Sequence, residues 1–231
     1  MFQFQNIWLP DGEKHFPEWM ARNGELVDGR GTYQIRKWRA CLPWIKQWRE
    51  AVDVGAHVGL WSMQMKKQFE TVHAFEPVEA FQACLERNAG PVDHDQDVRG
   101  MSDTRPVVLY PYALGAAPGS VSMTIPPLGE GLDTGGTHVG GVGDIAMFTL
   151  DSFDLEQVDF IKIDCEGYEH HVLEGARETL LRCKPCVIVE QKPHKLGPNF
   201  GITGTPAVDL LRGMGAVLRR EMGGDYIMSF D

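Results

Sequence analysis

One nine-residue stretch, Ala51-Val52-Asp53-Val54-Gly55-Ala56-His57-Val58-Gly59, limits the possible folds more than any other. Its valine-rich apolar run reads as a buried strand, glycines break it, and Leu60 to Phe69 reads as a helix. Strand, glycine turn and helix start together suit a nucleotide-like ligand. Gly55 lets the backbone turn and approach the ligand with no Cβ in the way. The helix start offers unpaired N–H groups to an anionic part of it.

A second strand-like run, Thr71-Val72-His73-Ala74-Phe75, ends in Glu76-Pro77. An acid about twenty residues past the glycines, at the next strand tip, is placed to accept ribose hydroxyls. Pro77 cannot continue a ladder and marks the strand end. The spacing is Asp-x-Gly-x-His-x-Gly, not the G-x-G-x-x-G of dinucleotide proteins, which disfavours a nicotinamide-dependent dehydrogenase.

The 231 residues suit one sizeable domain whose core needs no staples. Their net charge of −10 does not suit duplex nucleic acid, whose binders carry a basic face. No run is long enough to span a bilayer, and the amino end has no signal-peptide pattern, so a cytoplasmic protein is expected. The 5 cysteines are odd in number and scattered, unlike a disulfide framework. Cys183-x-x-Cys186 beside His170-His171 matches no familiar zinc spacing.

Residues 1–50 hold Trp8, Trp19, Trp38, Trp44 and Trp48, with Arg36, Lys37, Arg39, Lys46 and Arg49 in their second half. Aromatic and basic residues interleaved this way suit nucleic acid or an anionic surface. The favoured reading is an amphipathic helical cover, broken near Pro43, whose tryptophans pack on the sheet and whose cations face water. That divides the chain into a cover, 1–50, and a binding domain, 51–231. Within the latter, strands are expected at Val107–Leu114, Ser120–Ile125, Ile145–Leu150, Val158–Asp164 and Cys186–Glu190. Helices are expected at Glu79–Asn88 and around Leu173, Ala176 and Leu180, and another is expected to open at Thr205-Pro206 as cap and first residue. Residues 91–105 and 192–206 read as loops, and the glycine-rich passage 129–143 as a substrate-side loop. Gly223-Gly224 joins a terminal hairpin. The alternation predicts an α/β, Rossmann-like, doubly wound and mostly parallel sheet of seven strands with a terminal antiparallel hairpin. In such a sheet the end of the third strand borders the ligand crevice, so Tyr112 and Ala113 are candidates to touch an adenine ring.

Four blocks now stand in order: Asp53-Val54-Gly55-Ala56-His57-Val58-Gly59, Ala74-Phe75-Glu76-Pro77, Thr149-Leu150-Asp151 and Ile161-Lys162-Ile163-Asp164-Cys165-Glu166-Gly167-Tyr168-Glu169. Together they resemble the FkbM family of S-adenosylmethionine (SAM) methyltransferases, over residues 51 to about 191. The resemblance implies a class I fold and SAM as cofactor, with S-adenosylhomocysteine as product. It implies that Asp53, Gly55, Gly59 and Glu76 hold the cofactor and that Asp164 sits at the reaction end of the crevice; Ala56, His57 and Pro77, in the same two turns, are further cofactor-binding candidates. His57 stands where the family usually has asparagine and is not assigned a catalytic role.

Methyl transfer asks chiefly for alignment. A hydroxyl acceptor also needs a base, for which Asp164, Glu166, His194 and His138 are candidates. Asp164 and Glu166, with Glu190, also suit a hard divalent cation, although no metal ligand is assigned. Glu169 reads as a first-turn charge that complements a helix dipole, and Lys162 as a buried structural cation needing Asp151 or Glu190. The expected activity is O-methylation of a small-molecule or sugar-like hydroxyl. The alternatives are nucleic-acid methylation and a non-catalytic SAM- or nucleotide-binding module. The sequence leaves a homo-oligomer open and points to no membrane partner.

Overall fold

A computed structural model of the chain describes residues 1–90, 92–93, 106–192, 201 and 203–231. Its centre is a sheet of strands β1 (Glu50–Val54), β2 (Thr71–Phe75), β3 (Val92–Asp93), β4 (Val107–Tyr110), β5 (Val158–Ile163), β6 (Cys186–Glu190), β7 (Val217–Glu221) and β8 (Asp225–Ser229). Across the sheet they run β7-β8-β6-β5-β1-β2-β4-β3. The expected seven strands are present, and the two-residue β3 pairs parallel at the edge beyond them. All central neighbours are parallel, while β8 runs antiparallel to β6 and to β7, closing the predicted terminal hairpin. The chain winds one way from β1 through β2 to β4 and the other way from β5 outward. The switch point, where a doubly wound sheet opens a crevice, therefore lies between β1 and β5.

β1, β5 and β6 are buried on both faces apart from half-buried Glu50, which is why they read as near-continuous apolar runs instead of alternating ones. One face packs on the cover. Trp38, in the Ile35–Cys41 helix, meets Phe160 of β5 edge-on at 5.5 Å, and Trp8, Trp19, Trp44 and Trp48 pack partly buried against the same cluster. Each buried aromatic of this kind contributes roughly 2–3 kcal/mol. The cover is not all helical: strands Phe2–Phe4 and Ile7–Leu9 form a hairpin ahead of helix His15–Asn23. That hairpin is tied to the Glu79–Ala89 helix by Asn88, which accepts from Trp8 N–H at 2.8 Å and donates to Trp8 C=O at 2.9 Å. The five basic residues of 33–50 are all engaged within the chain. Arg36 and Arg39 pair with Glu25, Lys37 with Asp225 and Arg49 with Asp159, and Lys46 donates to Phe230 C=O.

Several expected elements end early for physical reasons. The Val107–Leu114 run splits because Pro111 has no N–H for the ladder. Ala113–Leu114 instead pairs with a long strand, His138–Phe148, whose other side pairs antiparallel with Gly119–Thr124. The second half of the glycine-rich passage is thus a strand, not a loop. The helix expected through Leu173 and Leu180 breaks into Glu169–Glu174 and Arg177–Cys183 at Gly175. A Cβ there would lie 2.0 Å from Gly115 C=O, so two backbones meet where only glycine fits. Pro206 opens its helix as expected, but Thr205 makes no side-chain cap. Among the described residues no helix is long and apolar enough to cross a membrane.

Candidate cofactor and acceptor site

The β1 turn is shaped by contact with the end of β5. Gly55 has φ +71°, and a Cβ on it would stand 2.2 Å from Asp164 C=O. The glycine therefore lets the two strand ends at the switch point lie against each other. Below the turn, the parallel register sets Lys162 beside Asp53. Lys162 Nζ lies 3.2 Å from Asp53 Oδ1 and donates to Gly55 C=O at 2.7 Å, while Ser62 Oγ donates to Asp53 Oδ2 at 2.7 Å. Burial opposes charge on this amine, but the carboxylates of Asp53 and Asp164 outweigh it and raise Lys162 above its ordinary value. The partner of Lys162 is thus Asp53, not Asp151 or Glu190. Asp151 caps the Arg177–Cys183 helix, accepting from Glu178 and Thr179 N–H.

Glu76, at the tip of β2, is 4 % exposed. Its Oε2 accepts from His57 N–H at 2.7 Å and its Oε1 from Val78 N–H at 2.8 Å. Burial raises this carboxyl to about 7, against those two N–H groups, which pull it down. His57 also sits at a positive φ, +51°. Burial, then Lys162, lowers the His57 imidazole to about 3 and keeps it neutral.

These groups face a cavity of about 920 Å³, open mouth included, walled by Gly55, Ala56, His57, Glu76, Pro77, Tyr112, Ala113, Asp164 and Glu166. Nine of the expected site residues therefore come together. Asp53 and Gly59 do not line the cavity: Asp53 is fully buried beneath the turn, and Gly59 packs on Leu85 at the helix start. His194 lies outside the described residues. His138 is half-buried on the Gly119–Thr124 hairpin partner, its Nδ1 against Gly136 C=O. Thr134 lines the cavity from the passage read as a substrate-side loop, while sequence reasoning missed Phe16 and Tyr33 in its wall and Glu13 behind Thr134. They carry no local motif and reach it only through the fold.

The loop after β5 is held from within. Glu169, 1 % exposed, accepts from Cys165 N–H at 3.0 Å and Gly167 N–H at 2.9 Å, which clamps the turn carrying Asp164 and Glu166. It is in the first turn of its helix, as expected, and burial raises it to about 7. Asp164, Glu166 and Glu190 bring carboxylate oxygens within 4.8 Å of one another. That is a donor set suited to a hard cation. Lys192 pairs with Glu190 and offsets part of this charge. A second, larger cleft adjoins the first and shares Tyr33, Gly135 and Glu166 with it. Its other walls include Trp19, Arg36, Glu190 and Arg220.

The residues present fit SAM. A buried carboxylate faces the cavity at the tip of β2, and Gly55, Ala56 and His57 of the β1 turn line the same cavity. Among solved structures, the chain is similar to an FkbM methyltransferase from Methylobacillus flagellatus at 19% identity and TM-score 0.47. That match covers 80% of this chain and 44% of the other, so the chain spans less than half of that protein's length. It is also similar to magnesium protoporphyrin IX methyltransferase from Synechocystis with bound SAM, at 10% identity and TM-score 0.45, covering 85% of this chain and 76% of that one. Methyltransferase sdnD of Sordaria araneosa is 25% identical over 182 residues, 64% of this chain and 69% of that protein. The model of the methyltransferase FkbM domain matches residues 53–203, a span that takes in the β1 turn, Glu76, Tyr112 and the Asp164–Glu169 loop. The chain belongs to the FkbM methyltransferase family.

Proposed function

We propose that this chain is a SAM-dependent O-methyltransferase acting on a hydroxyl of a small, polar molecule. The observation that carries the reading is the pairing of a buried, cavity-facing Glu76 with half-buried Asp164 across the switch point of the sheet. Bound SAM supplies a methyl group made electrophilic by its sulfonium. Glu76 would accept hydrogen bonds from the ribose hydroxyls, and Gly55, Ala56 and His57 would line the methionyl part. Tyr112 and Ala113 form the wall along the adenine. Lys162 holds its charge against Asp53 and the Gly55 carbonyl, so it stiffens the turn from the wall of the cavity.

The acceptor occupies the second cleft and presents its hydroxyl to the shared wall near Glu166. Asp164 takes the proton from that hydroxyl, with Glu166 as the neighbouring acceptor. Most of the rate advantage comes from alignment of the two ligands in adjoining cavities. The cover residues Phe16, Trp19 and Tyr33 exclude water from the junction and act as its lid.

The test is calorimetric titration with SAM and with S-adenosylhomocysteine, followed by turnover on a panel of hydroxyl acceptors. Micromolar binding lost in Glu76→Ala is the expected result. Asp164→Asn should keep that binding and lose turnover by about 100-fold or more, the scale of a general base. Folded protein that binds neither ligand would refute the reading. Turnover unchanged in Asp164→Asn would remove the base assignment.

A further inference from the structure

Three segments far apart in the sequence meet at the side chain of His57. Glu13, just before the first cover helix, and Thr134, inside the glycine-rich passage, are 4 % and 1 % exposed. Glu13 Oε1 accepts from Phe16 N–H at 2.6 Å. Glu13 Oε2 accepts from Thr134 N–H at 2.9 Å and pairs with the Thr134 hydroxyl. Thr134 Oγ1 lies 2.8 Å from His57 Nε2.

Proton counting orders this chain. A carboxylate only accepts. The single hydroxyl proton of Thr134 therefore goes to Glu13, and its oxygen accepts from His57 Nε2–H. The imidazole is then the neutral Nε2–H tautomer, with Nδ1 left as a bare acceptor. Phe16 stacks on this ring at 4.8 Å and 18°, and Phe81 meets its edge at 4.4 Å. Beyond Phe16 the aromatic series continues through Tyr33, at 4.8 Å, to Trp19, 4.6 Å further on. Trp19 and Tyr33 wall the second cleft. His57 is thus held by ring contacts on two sides and by a hydrogen bond at its tip, while its backbone N–H holds Glu76. An asparagine side chain is shorter than the imidazole whose Nε2 meets Thr134.

We propose that Glu13 and Thr134 are positioning residues that act through His57. They hold the cofactor turn in the shape that aims its N–H at Glu76, and they register the aromatic wall of the acceptor cleft to that turn. This rests on the cofactor reading above. The cover is in this way coupled to the cofactor turn by a buried polar chain as well as by apolar contact.

The test uses the full chain and S-adenosylhomocysteine as probe, with Thr134→Val, Thr134→Ser, His57→Asn and the Thr134→Val/His57→Asn double variant. Thr134→Val should weaken binding about fivefold to tenfold, the scale of one buried hydrogen bond, and Thr134→Ser should restore it to within about twofold. In the His57→Asn background the valine should add less than about twofold, because neighbours in one chain are not additive. Nitrogen NMR of the parent should find Nε2–H on a neutral His57, and Thr134→Val should shift that tautomer balance. If Thr134→Val does not fold, Glu13→Gln carries the same test at its other end. Parent-like affinity in the valine variant, or an equal loss with and without His57, would overturn the proposal while leaving the cofactor reading intact. A parent that binds no probe would overturn both.

Discussion

Lys162–Asp53 and Arg39–Glu25 are both ion pairs, yet they belong to different kinds of structure. The first lies beneath the cofactor turn with side chains 7% and 0% exposed. The second lies on the cover with side chains 52% and 35% exposed. In the floor of the cavity, strand register aims the central polar groups: β5 sets Lys162 beside Asp53, and β2 carries Glu76 to the tip beside the β1 turn. In the cover, tryptophans supply the adhesion and the charges stand mostly at the water boundary. The floor is a polar device that must be complete to be stable. The cover adheres mainly through apolar side chains, with buried polar ties at Lys37–Asp225 and where Glu13 meets Thr134.

Removing one partner in each region exposes that contrast. Lys162→Met should destabilise the protein by about 3–5 kcal/mol, because it leaves a fully buried carboxylate without its cation. Adding Asp53→Asn should recover part of the loss, and denaturant midpoints measure both. A loss below about 1 kcal/mol would erase the distinction between floor and cover.

Titration gives an effect of intermediate size. On the proposed function Glu76 binds ribose as the carboxylate, and its carboxyl stands near 7 in the ligand-free protein. Affinity for S-adenosylhomocysteine should therefore rise about tenfold from pH 6 to pH 8 and level off above. Glu76→Gln should flatten the curve. The stability effect has the opposite sign. The folded carboxyls of Glu76 and Glu169 lie above their ordinary 4.5, so they favour the folded state fully below that value. This contribution is lost as pH rises toward 7. The melting temperature of the ligand-free protein should fall from pH 5 to pH 8, apart from other groups, and Glu76→Gln should lessen that fall.

The smallest effect belongs to the cover. Arg39→Ala removes an exposed pair and should change stability by no more than about 0.5 kcal/mol. A larger loss would mean that the cover depends on its charges as the floor does.

Much of the floor could be read from residue order. Gly55 and Glu76 are separated by one helix and one strand, and local periodicity is enough to put them at neighbouring strand tips. The Asp164–Glu169 block was legible for the same reason, as a strand end followed by a glycine turn. Other features were not. The partner of Lys162 depends on which strand lies beside β5 and in what register, and neither is a local property. Pro111 signals where the β4 ladder stops, but not that the chain then joins a different sheet. Gly175 looks like any helix glycine until Gly115 is seen against it.

Residue order alone therefore determined the doubly wound sheet, the glycine turn and the acid that answers it, because each follows from spacing within a few tens of residues. Only the tertiary structure decided that Asp53 serves the turn from beneath, that two clefts share a wall, and that Glu13 and Thr134 converge on His57. Those outcomes depend on long-range packing. A buried polar atom must find its partner wherever the fold brings one, however far away it lies in the chain.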